Sequence, residues 1–155
     1  MIKTWIVLWW IAAASFPASA VIGGQSGEAY PEVVRLEAGK KVCTGTIVGP
    51  RAILSAAHCV TNDSPHFVYN GKKYPVKYVT SPDQVLGHDL ALAITEKKIE
   101  GAIFARMGRG LKHGVKLLFA GFGCTKPGGK PGALHVGQSR VIGLDEDHAL
   151  AAGKN

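Results

Sequence analysis

Val42-Cys43-Thr44-Gly45-Thr46-Ile47-Val48-Gly49-Pro50-Arg51-Ala52-Ile53-Leu54-Ser55-Ala56-Ala57-His58-Cys59 holds two short runs of β-branched and apolar residues, parted by Gly49-Pro50. Val42 to Val48 and Ala52 to Ser55 are too short for helices, and the Gly-Pro pair reads as the turn between two antiparallel strands. The same grammar extends outward. Val33 to Leu36 is a further strand-like run. Asn70-Gly71 stands between Phe67-Val68-Tyr69 and Lys72 to Val79, a strong signal for a two-residue hairpin. Leu90 to Thr95, Val115 to Ala120 and Leu134 to Leu144 continue the series, while Lys126 to Gly132 (K-P-G-G-K-P-G) can bury nothing and reads as a loop. No long run with helical period and no internal repeat interrupts it. The residues alone predict an all-β chain, an antiparallel barrel or a sandwich.

The first twenty of the 155 residues stand apart. Lys3 precedes a mostly apolar run from Thr4 to Phe16, Pro17 breaks it, and Ala18-Ser19-Ala20 places small residues where a signal peptidase reads. Thirteen residues are too few to span a bilayer, so residues 1–20 are expected to be a signal peptide and residues 21–155 an exported domain, secreted or periplasmic and not in the membrane once the signal is removed. Removal takes Lys3 and lowers the formal charge from +7 to +6. The remaining basic residues are scattered, with no cluster larger than pairs such as Lys40-Lys41, Lys72-Lys73 and Lys97-Lys98, no basic helix and no interleaved aromatics, which argues against a nucleic-acid binder. Cys43, Cys59 and Cys124 are an odd number for an oxidising compartment.

Four segments stand in a telling order: Val21-Ile22-Gly23-Gly24, Ser55-Ala56-Ala57-His58-Cys59, His88-Asp89-Leu90-Ala91-Leu92 and Gly121-Phe122-Gly123. Together they resemble the trypsin-like serine proteases of the chymotrypsin fold. That family carries an Ile-Val-Gly-Gly start, a Thr-Ala-Ala-His-Cys loop, an Asp-Ile-Ala-Leu strand and a Gly-Trp-Gly turn. The resemblance implies a double antiparallel β-barrel, with a complete first barrel at about 21–107 and a truncated second one at about 108–155. It implies that His58 is the general base of a Ser-His-Asp triad and Asp89 the carboxylate that holds its tautomer. It also implies that Cys43 and Cys59 form the disulfide tying the histidine loop to the preceding strand, worth roughly 3 kcal/mol for so short a loop. The α-ammonium of Val21 is expected to be the activating terminus, freed by export itself. Substrates would be proteins or peptides, and neither metal nor organic cofactor is implied. His66, His88, His113, His135 and His148 show no metal-ligand spacing.

No Gly-Asp-Ser-Gly-Gly occurs. Of the serines, Ser139 in Gly-Gln-Ser-Arg lacks the flanking glycines that let backbone N–H groups reach an oxyanion. The expectation is therefore a secreted serine endopeptidase that lacks its serine-bearing C-terminal part, with Cys124 awaiting a partner there, inactive as the 155 residues stand. The open strand edges and uncovered apolar surface of a partial barrel would be aggregation hazards. The alternative is a secreted non-catalytic binding protein on a protease-like barrel, which would have no reason to keep both the His58 and the Asp89 motif.

Overall fold

The computed structural model describes residues 25–26, 30–60, 64–80, 89–108, 110–124, 129–144 and 149–153. Six strands, β2 (Val33–Ala38), β3 (Lys41–Ile47), β4 (Ala52–Ser55), β5 (His66–Tyr69), β6 (Lys72–Thr80) and β7 (Ala91–Thr95), close into a barrel in the order β2-β3-β4-β7-β6-β5. The pairings are antiparallel, and because the ring closes, of the two architectures open to the residues these strands adopt the barrel. Strand periodicity sends alternate side chains inward. Val34, Leu36 and Ala38 of β2 are buried, as are Ile53 of β4, Phe67 and Tyr69 of β5, and Ala91 and Ala93 of β7. Leu36, Ile47, Ile53 and Phe67 fill the middle.

A ring this narrow needs small residues beside large ones. A Cβ on Gly45 would lie 2.6 Å from the Phe67 ring and 2.7 Å from Ile53, so β3 can carry only glycine there. Two buried hydroxyls are satisfied: Ser55 donates to the Thr44 carbonyl at 2.8 Å and Thr95 to the Lys97 carbonyl at 2.7 Å. The Asn70-Gly71 hairpin forms as its sequence predicts. Both residues have positive φ, 47° and 74°, the pair of left-handed conformations that matches strand twist.

A second sheet is built on β9 (His135–Leu144). One edge of β9 pairs with β8 (Lys116–Gly121); the other carries β1 (Gln25–Ser26) and β10 (Ala149–Gly153). The sequence shows no strand pattern in Ala149 to Gly153, whose small residues have low β propensity; pairing to β9 imposes the extended conformation. The sheet meets the barrel where the Phe122 N–H donates to the Thr44 hydroxyl at 2.9 Å and where Arg35 donates to the Gly132 carbonyl at 3.4 Å. The two-sheet, nearly all-β architecture is that of a double barrel whose second barrel is incomplete. No helix among the described residues is long and apolar enough to cross a membrane.

Candidate active site

The register of β4 against β7 brings the site together. Ser55 pairs with Ala91, so the residues just past β4 and just before β7 emerge side by side at one end of the barrel. Ala57-His58-Cys59 forms a single 3₁₀ turn there, and Asp89 stands two residues ahead of β7. The Cys43–Cys59 disulfide fastens that turn to β3. It is a pairing expected from sequence and found in the structure. Cys59 is buried in the barrel core, so the turn is anchored from inside as well as by the bond.

His58 and Asp89 touch in two ways. The His58 backbone N–H donates to Asp89 Oδ1 at 2.9 Å, and His58 Nδ1 is hydrogen-bonded to Asp89 Oδ2. The Ala57 N–H donates to the Asp89 carbonyl at 3.3 Å. The backbone N–H of His58, then the imidazole contact, hold the Asp89 carboxyl below its ordinary value and outweigh the opposing effect of burial. The carboxylate is thus kept charged and fixed by one oxygen while the other faces the ring. With Nδ1 engaged, Nε2 is the ring nitrogen that does not bond Asp89. Both side chains are open to solvent, at 68% and 54% of full exposure, so the pair is accessible.

The other sequence-predicted positions divide. Val21, His88 and His148 lie outside the described residues. Ser139 is built into β9 opposite Leu117 and Gly153. Cys124 is a free thiol that donates to the Gly129 carbonyl at 2.9 Å. Cys43, His58 and Cys59 bring donor atoms within 4.8 Å of one another, but the two sulfurs are bonded to each other and offer no thiolates. The backbone donors of Ala57 and His58 to Asp89 were not foreseen. Every residue carries the same amide, and only the fold aims these two.

Residues 21–150 match the family model for trypsin. The chain belongs to the trypsin family. Two solved structures share the fold. One is neuropsin, described as a serine protease expressed in the limbic system of mouse brain; it superposes with a TM-score of 0.73 at 17% identity, over 86% of this chain and 75% of that one. The other is human heparin binding protein, with a TM-score of 0.75 at 12% identity, over 87% of this chain and 73% of that one. Trypsin-family membership places the chain among serine proteases, with proteins and peptides as the substrate class.

Proposed function

We propose that this trypsin-family chain is the N-terminal part of an exported serine endopeptidase in which His58 is the general base and Asp89 orients it. The observation that carries the reading is the double attachment of Asp89, by one oxygen to the His58 backbone and by the other to Nδ1. A carboxylate so placed fixes the tautomer with the proton on Nδ1 and stabilises the imidazolium formed when Nε2 takes the serine proton. The nucleophile, the oxyanion hole and the specificity pocket are assigned to sequence outside these 155 residues, which contain no Gly-Asp-Ser-Gly-Gly. Cleavage after Ala20 would export residues 21 onward and free the Val21 ammonium. N-terminal sequencing that finds an earlier start would remove that step.

The test begins with the native exported protein. Its intact mass is expected to exceed that of Val21 to Asn155, and a fluorophosphonate should label one serine. In that protein Asp89→Asn is expected to lower kcat by about 10⁴ with little change in KM, because the wrong tautomer then faces the serine. His58→Ala should abolish labelling. A native protein with the mass of Val21 to Asn155 that takes no label would overturn the enzyme reading in favour of a binding protein on a protease-like barrel.

A further inference from the structure

Three bonds converge on Thr44 and its neighbour Cys43. The Thr44 hydroxyl accepts the Phe122 N–H at 2.9 Å, from the residue just past β8. The Thr44 carbonyl accepts the Ser55 hydroxyl at 2.8 Å, from the last residue of β4. Cys43 is bonded to Cys59, the residue after His58. The last two bonds bracket Ala56-Ala57-His58: Ser55 leads into that segment, Cys59 leads out of it, and both are buried. Gly121 comes so near the Thr44 hydroxyl that any side chain there would press on it. The contact from Arg35 to Gly132 also joins the two regions, but it is longer, at 3.4 Å, and bears on β2, one strand further round the barrel from β4.

We propose that Thr44 is a positioning residue for the reaction, fixing the second sheet against the His58 turn. The inference rests on the function proposed above, in which the nucleophile belongs to sequence that follows the second sheet and must meet His58 Nε2 across this junction. General-base catalysis needs the reacting atoms within hydrogen-bond reach, about 2.6–3.2 Å. Asp89 orients the ring within the barrel but does not place the second sheet. That placement is carried by contacts between the regions, and the Thr44 hydroxyl makes the shorter one, from the strand that is bonded to the His58 turn. Two short paths lead from it to His58, one through Ser55 and one through the disulfide. A hydroxyl suits the task, because its oxygen lets the Phe122 nitrogen approach to 2.9 Å. A methyl in its place would hold that nitrogen at about 3.5 Å or more.

The test uses the full exported protein. Thr44→Val removes the acceptor, whereas Thr44→Ser keeps the hydroxyl. Thr95→Val is the control for lost stability: it deletes a buried hydroxyl bonded to the Lys97 carbonyl, at the end of β7 away from Asp89. Displacing a reacting group by about 1 Å can cost about 10²-fold. Thr44→Val, a smaller displacement, is expected to lower kcat and the rate of fluorophosphonate labelling by about tenfold, with KM within about twofold. Gly121→Ala, which crowds the same hydroxyl from the sheet, should slow the enzyme in the same way. The midpoint of the pH–rate profile should not move, because the His58–Asp89 contact is untouched. Thr44→Ser should recover kcat to within about twofold. Thr95→Val, assayed well below its urea midpoint, should lose stability but not rate. Wild-type kcat in Thr44→Val or Gly121→Ala, a Thr44→Ser enzyme as slow as Thr44→Val, or an equal loss in Thr95→Val would overturn this inference and leave the proposed function standing. A wild-type protein that takes no label would overturn both.

Discussion

The barrel and the second sheet are made of similar strands yet bury very different amounts of themselves. From Val34 to Ile99 the barrel encloses nearly all the buried apolar side chains, whereas Val141 is the only buried hydrophobic residue after Ile99 among the described residues. Leu118 and Phe119 follow one another in β8 and so point to opposite faces, and both are exposed, as are Val115, Ile142 and Leu144. An alternating apolar pattern is therefore enough to lay strands into a ladder but not to hide them. Closure does the hiding: in a ring of six, each strand has two neighbours and one face has nowhere to go but the interior. The sheet has no such closure in these residues, and it is held by its ladder and by its contacts with the barrel at Thr44 and Arg35.

The widest separation between the regions should appear on truncating one phenylalanine in each. Phe67 is fully buried, so Phe67→Ala is expected to cost about 3–5 kcal/mol, while half-exposed Phe119→Ala should stay within about 1 kcal/mol. Urea unfolding of the two variants of the same full chain measures both, and equal costs would break the contrast. Reducing the Cys43–Cys59 disulfide comes next, at about 3 kcal/mol for its 16-residue separation. That loss should fall on the barrel. Hydrogen exchange is expected to quicken in β3 and β4 more than in β8 and β9.

Much of the barrel was legible because its strands are bounded by residues with a mechanism. Gly49-Pro50 and Asn70-Gly71 punctuate apolar runs, and the structure places strands on both sides of each. The pairing of β4 with β7, nearly forty residues later in the chain, was not legible, since strand patterns do not name their partners. The role of Gly45 was hidden for a related reason: its cause is the Phe67 ring, which arrives from β5. At the site, the motifs singled out His58 and Asp89, and the β4–β7 register brings them into contact. β10 was missed because Ala and Gly carry no strand signal of their own.

The junction between the regions is small enough to be tested one bond at a time. Thr44→Val keeps the shape of the side chain but leaves the Phe122 N–H without the hydroxyl it donates to. The expected cost is about 0.5–1.5 kcal/mol. What sharpens the comparison is where the cost is felt. Faster exchange of the Phe122 amide, with β2 and β3 protection unchanged, would show the sheet opening on its own. A uniform loss throughout both regions would mean that they unfold as one unit. Gly121→Ala presses on the same contact from the other side, because its Cβ would lie 3.0 Å from the Thr44 hydroxyl oxygen.

Acid should also divide the molecule, though by less. The described residues of the second sheet carry no carboxylate, whereas the barrel carries Glu37 and Asp89, both with lowered carboxyl values. For Glu37, burial pushes the value up, but the His66 hydrogen bond, aided by the charges of Arg35, His66 and Lys73, outweighs it. A carboxyl held below its unfolded value adds stability that is fully present above that unfolded value and disappears as pH falls through the folded one. Wild type should therefore lose barrel stability below about pH 4.5, and Glu37→Gln should lose less over the same interval. The difference at neutral pH is expected to stay under about 1 kcal/mol, as for other ion pairs near a protein surface. Amide exchange in β2 and β5, which Glu37 and His66 join at the Glu37–His66 register pair, should report it. Exchange in β8 and β9 should follow only if the Thr44 junction binds the two regions into one cooperative unit, so the acid series and the Thr44→Val variant must agree.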